Sequence, residues 1–172
     1  MSLNTLEEIA QYIVSDGKGI LAADESNPTC GKRFDSIGVE SSEINRRDYR
    51  EMLFRSSGMQ DNIGGVILFD ETIRQSAADG TLLVDLIKNK GALPGIKVDK
   101  GLAPIDSSPE ETVTQGLDGL DERCKEYFSL GAKFTKWRAV IKISDDIPSD
   151  DCIQANMRAL AKYAKIVQNN NM

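Results

Sequence analysis

The stretch Gly95-Ile96-Lys97-Val98-Asp99-Lys100-Gly101 decides how the rest of the chain is read. It is short, apolar at its core and bounded by glycine, as a buried strand is, yet Lys97 and Asp99 alternate to one face. A lysine inside a strand carries a desolvation penalty unless an anion or counter-charge meets it. Lys97 is therefore either paired structurally with an acid such as Asp99 or held for a ligand phosphate. Lys136-Trp137-Arg138 repeats the pattern one strand later, with both cations on one face and Trp137 on the other. Structural salt bridging stands beside ligand binding as a reading of Lys136 and Arg138.

Charges inside otherwise buried parallel strands suit the interior of a barrel near its catalytic mouth. Working outward, strands are expected at Ile20–Asp24, Val66–Asp70, Gly95–Asp99 and Phe134–Ile141. Helical patterns fall between them, at Asn45–Ser56, Thr81–Asn89 and Asp118–Leu130, the last with Leu120, Cys124, Tyr127 and Phe128 on one face. A leading helix carries Leu3, Leu6, Ile9, Ala10, Ile13 and Val14 on one stripe, with Asn4 and Glu7 spaced as a capping box and Gly17 as its stop. A final helix, Asp150–Gln168, carries Ile153, Met157, Leu160, Ala161, Ala164 and Val167 on another. This β-α alternation implies parallel strands with right-handed crossovers. If the four βα units fill 172 residues, eight would take about 340, within the size of a (β/α)8 barrel. The expected fold is thus α/β, a (β/α)8 TIM barrel of which about the first four βα units are present. Residues 1–172 would be the N-terminal half of one barrel domain, with no second domain.

Asp24, in Ala22-Ala23-Asp24-Glu25-Ser26, stands at the end of the first strand, where barrel enzymes place reactive groups; a turn or N-cap aspartate is the plainer alternative. Strands carrying Lys97, Lys136 and Arg138 side by side would gather three cations near Asp24, as a dianionic sugar phosphate requires. Two other motifs fail on context. Gly17-Lys18-Gly19-Ile20-Leu21-Ala22 spells a dinucleotide fingerprint, but a helix precedes it and a strand follows, the reverse of what that fold needs. Cys30-Gly31-Lys32-Arg33 lacks both the first glycine and the Ser or Thr of a phosphate-binding loop.

Composition narrows the chemistry. With no histidine, Ser-His-Asp and Cys-His catalysis and imidazole-bound zinc are excluded, leaving carboxylates, lysines and tyrosines for acid–base work. The three cysteines lie far apart, offer neither a metal-ligand pair nor a disulfide framework, and fit a reducing compartment, so a cytoplasmic protein is expected. A net charge of −6 without a basic, aromatic-interleaved run argues against nucleic acid, and no apolar stretch is long enough for a membrane span.

Several stretches together resemble class I fructose-bisphosphate aldolase over nearly the whole length: Gly19–Ser26, Glu43–Arg47 with Tyr49-Arg50, Gly64–Phe69, Gly95–Gly101, Thr114–Leu120 with Glu122-Arg123-Cys124, and Lys136-Trp137-Arg138. The resemblance implies cleavage of fructose 1,6-bisphosphate into dihydroxyacetone phosphate and glyceraldehyde 3-phosphate through a lysine imine, without metal or other cofactor. It implies that Asp24 lies near the substrate hydroxyls and that Lys136 assists proton transfer during carbinolamine formation and lowers the pKa of the nucleophilic lysine. Lys97 and Arg138 would contact phosphate or hydroxyls, and Arg33 and Arg46 match positions associated with substrate phosphate. The family's imine-forming lysine would lie beyond Met172, and the family's tetramer implies a homo-oligomer. The loop Asn27-Pro28-Thr29-Cys30-Gly31 departs from the commonest family pattern. A non-catalytic open α/β domain, or a half-barrel, binding an anionic metabolite is the alternative.

Overall fold

The computed structural model describes Leu3 and residues 5–172. In chain order the elements are α1 (Leu6–Ile13), β1 (Gly19–Ala23), α2 (Asn27–Asp35), α3 (Glu43–Arg55), α4 (Met59–Asn62), β2 (Ile63–Leu68), α5 (Asp70–Ile73), α6 (Leu83–Asn89), β3 (Leu93–Lys97), β4 (Leu102–Ile105), β5 (Ser108–Thr114), α7 (Leu120–Ser129), β6 (Phe134–Lys136) and α8 (Asp150–Asn169). The main sheet has four strands in the order β1-β2-β3-β6, all parallel. Its order follows the sequence because each crossover returns the chain to the next position.

One face of this sheet is the core. Ala23, Leu68 and Ile96 stand in register across three strands and are fully buried, joined by Val66, Val84, Leu120 and Cys124. The opposite face is kept low by glycine. The Phe134 ring lies so close to Gly95 that a Cβ there would sit 2.4 Å from it, and a Cβ on Gly65 would meet the same ring at 3.0 Å. The end of α1 presses on the same end of the sheet, since a Cβ on Gly64 would stand 2.2 Å from the Ile13 carbonyl oxygen.

Several expectations need correction. Asn4 lies outside the described residues, and the capping box is built one position later, with Thr5 as N-cap and Glu8 returning the bond. Val14 is exposed because the helix ends before it. The segment expected as a loop at Asn27–Gly31 opens α2, with Pro28 in the first turn, where its missing N–H has no intrahelical role. The fourth strand stops at Lys136 rather than Ile141. Beyond it the backbone leaves the ladder for the antiparallel β4–β5 hairpin, whose Thr114 Oγ1 donates to the Arg138 carbonyl at 2.6 Å.

Phe128 does not share the buried face of α7; it is exposed beneath the Lys133 ammonium. Of the stripe expected on α8, Val167 is buried, but Ile153, Met157 and Leu160 are exposed, and Cys152, Asn156 and Ala159 are buried in their place. What turns it is polar. Buried Glu111 on β5 accepts from the backbone N–H and hydroxyl of Ser149, the N-cap of α8, while Asn156 Nδ2 donates to the Thr112 carbonyl at 3.0 Å.

The contact between Phe134 and Gly95 yields a direct test. Gly95→Ala should lower stability by about 2 kcal/mol, because the methyl must displace a packed ring. Gly19→Ala, with open space at its Cβ, should be neutral or slightly stabilising in the same thermal melts.

Candidate active site

The C-terminal ends of the four parallel strands surround a cleft of about 810 Å³. Asp24 follows β1 directly, Lys97 ends β3, Lys136 ends β6, and Arg138 lies just beyond; all four line it, with Arg33 from α2 at the rim. Asp99, two residues past Lys97 and just beyond the end of β3, lines the same cleft. The structure therefore brings together five of the six site residues expected from sequence.

Arg46 is the exception, for it does not line the cleft. It is buried on α3 in a two-pronged pair with Glu71, Nε to Oε1 at 2.8 Å and Nη2 to Oε2 at 2.6 Å, and it also donates to the Ser41 carbonyl. The hydrogen bonds from Arg46 hold the Glu71 carboxyl below its ordinary range against the opposing effect of burial. A guanidinium so fully engaged acts as a fastener between α3 and α5.

Most cations of the cleft meet carboxylates. Lys136 Nζ donates to Asp24 Oδ2 at 2.5 Å, and Lys97 Nζ to Asp99 Oδ2 at 2.7 Å. The first of these joins opposite edges of the sheet. Four flat strands would hold their outer members about 14 Å apart, more than these two side chains bridge at hydrogen-bond distance, so the sheet curls toward the cleft. Arg33 pairs with Glu25, whose carboxylate also accepts from the Tyr49 hydroxyl at 3.3 Å. Among the described residues, Lys100, Arg123 and Arg138 have no carboxylate partner, and basic side chains outnumber acidic ones in the lining. An anionic ligand would find uncompensated charge there.

Sequence reasoning missed the supports of this site. Arg50, 1% exposed on α3, donates to Glu25 O at 2.8 Å and Cys30 Sγ at 3.0 Å and reaches Ala23 O at 3.4 Å, gripping the chain on both sides of Asp24. Arg123 donates to the Val98 carbonyl at 3.0 Å and to that of Gly116. Arg74 bridges Asp70 at 3.0 Å and Glu126 at 2.5 Å on the far wall. Although burial pushes Asp70 up, hydrogen bonds from Arg74 and from the Tyr127 hydroxyl hold it below the usual carboxylate range. Both Arg50 and Arg123 lie within the aldolase-like stretches, but nothing in their local sequence marks Arg50 as buried or Arg123 as bound to main-chain carbonyls.

A family model described as glycolytic fructose-bisphosphate aldolase class-I matches residues 5–172. The chain belongs to the class I fructose-bisphosphate aldolase family. It is 54% identical over 168 residues to a probable fructose-bisphosphate aldolase class 1 of Xanthomonas campestris pv. campestris, covering 98% of this chain and 50% of that protein. It is also 54% identical over 163 residues to the cytosolic fructose-bisphosphate aldolase 6 of Arabidopsis thaliana, covering 95% and 46%. The aldolase of Plasmodium falciparum, solved in a ternary complex with TRAP and a small-molecule inhibitor, superposes with a TM-score of 0.93 at 49% identity, covering 95% of this chain and 48% of that one. The chain spans about half the length of the curated relatives it matches.

The Arg46–Glu71 pair sets an acid limit on stability. Because the folded Glu71 titrates below the 4.5 of a free glutamate, its contribution is fully present above that value and is lost as pH falls through the lower folded value. Thermal melts should lose midpoint below about pH 4.5, and Glu71→Gln should flatten that limb. At neutral pH the same variant should cost about 2 kcal/mol, since it leaves the Arg46 charge half-paired in a mostly buried setting.

Proposed function

We propose that this chain forms part of a (β/α)8 barrel in a single domain that cleaves fructose 1,6-bisphosphate to dihydroxyacetone phosphate and glyceraldehyde 3-phosphate by a Schiff-base mechanism. The observation that carries the reading is the Lys136–Asp24 contact at 2.5 Å, made across the curled sheet inside a cation-lined cleft. Family membership and the curl of four parallel strands support the barrel.

In this reading Lys97, Arg138 and Arg33 hold phosphate and hydroxyl oxygens of the extended sugar, fixing the ketone where an amine can reach it. The nucleophilic lysine belongs to the part of the relatives' length that this chain does not span. That amine adds to the ketone, and loss of water leaves an iminium. Lys136 is placed to shuttle the proton as water departs, with Asp24 holding its ammonium in line. When the C3–C4 bond breaks, its electron pair flows into the iminium to give an enamine, and the C4 hydroxyl loses its proton as the aldehyde forms. Asp24, beside the substrate hydroxyls, favours that proton loss. Arg46 acts in this scheme only through the structure, as the partner of Glu71.

The proposed setting is the cytoplasm, with the whole protein a homo-oligomer. Among the described residues no helix is long and apolar enough to cross a membrane. The test is cleavage of fructose 1,6-bisphosphate by the intact protein in the presence of EDTA, with borohydride trapping of dihydroxyacetone phosphate. Activity and a stoichiometric lysine adduct are expected, and Asp24→Ala or Lys136→Ala should lower kcat by about 10² or more. Loss of activity to the chelator with recovery on zinc, or wild-type kinetics in either variant, would refute the reading.

A further inference from the structure

Lys97 reaches the cleft from the last residue of β3, but two residues on, Asp99 has already claimed much of its bonding capacity. Lys97 Nζ donates to Asp99 Oδ2 at 2.7 Å and to the Asp99 main-chain oxygen at 3.0 Å. An ammonium has three donors. With two directed at one residue, tetrahedral geometry fixes the direction of the third.

Asp99 itself cannot drift. Val98 N donates to the Lys136 carbonyl at 3.1 Å and Arg123 donates to the Val98 carbonyl at 3.0 Å. On the other side, Lys100 N donates to Gln115 O and Gln115 N to Gly101 O, both at 2.8 Å. The packing around this frame is tight, since a Cβ on Gly116 would stand 2.9 Å from Lys100 N and 3.1 Å from Val98 O. The carboxylate is almost wholly buried, and among the described residues its second oxygen, Oδ1, has no hydrogen-bond partner. Among the described residues no other donor competes for the carboxylate that holds Lys97, and leaving a buried carboxylate oxygen unmatched carries a free-energy cost.

We propose that Asp99 is a positioning residue that turns Lys97 from a mobile cation into a single directed donor, so that Lys97 meets one oxygen of the ligand rather than wrapping a phosphate. This extends the reading of Lys97 as a ligand contact and rests on it. Asp99 touches no ligand; it acts through the amine it holds. Lys136 differs in kind: its carboxylate partner lies on another strand, and more of its side chain is exposed.

Two measurements test this. In the ligand-free protein, brief acetylation with acetic anhydride and mass mapping should modify Lys97 more slowly than neighbouring Lys100, and Asp99→Asn and Asp99→Ala should each raise Lys97 labelling several-fold, Ala more than Asn. In the intact protein, Asp99→Asn should lower kcat/KM for fructose 1,6-bisphosphate about tenfold, yet have less than about a twofold effect in a Lys97→Met background, because both changes remove one interaction. Equal labelling of Lys97 and Lys100, labelling unmoved in both Asp99 variants, or an Asp99→Asn loss undiminished in the Lys97→Met background would overturn the proposal. Absence of cleavage by the wild-type protein would refute the aldolase reading instead, and the labelling result would still decide whether Asp99 holds Lys97.

Discussion

The contact on which the site depends is the one between Lys136 and Asp24, because it can form only if the two edges of the sheet approach each other. Parallel strands twist and coil by their own sterics, but the degree of closure needs room on the inner face. Gly65 and Gly95 provide that room for the Phe134 ring. Large side chains at those positions would hold the face open. The charges at the strand ends are thus brought together by the absence of side chains one layer below.

Around that contact the molecule is organised as a set of guanidinium fasteners. Arg50 fixes the main chain on either side of Asp24, Arg123 fixes the end of β3, and Arg46 ties α3 to Glu71. Each takes carbonyl or carboxylate oxygens in a fork that lysine could not match. The lysines sit where the ligand is expected, carrying one compact charge each. This division uses these three arginines to hold the frame, while Lys97, Lys136, Arg33 and Arg138 line the cleft.

The parallel strands were legible because strands buried on both faces read as short apolar runs. Lys97, Asp99, Lys136 and Arg138 were legible as one facing set from alternation, although the structure ends β3 at Lys97 and β6 at Lys136 and the chain just past each strand keeps Asp99 and Arg138 on the cleft. The β4–β5 hairpin was not, since Pro104, Pro109 and the pair Glu110-Glu111 break any strand pattern, and the burial of Glu111 makes sense only beside Ser149, distant in sequence. The α8 stripe misled for the same reason: hydrophobic periodicity names a face, while Asn156 and Cys152 fix which face meets the hairpin. Arg46 was read as a phosphate contact because resemblance gives residue positions, not partners, and Glu71 comes to it through folding.

The crowding of Phe134 and the end of α1 against the glycines of β2 and β3 also governs traffic. It lays a floor under the cleft toward the amino ends of the strands. A ligand that enters beside Lys97 therefore meets the Phe134 ring beneath it rather than a passage running along the strands.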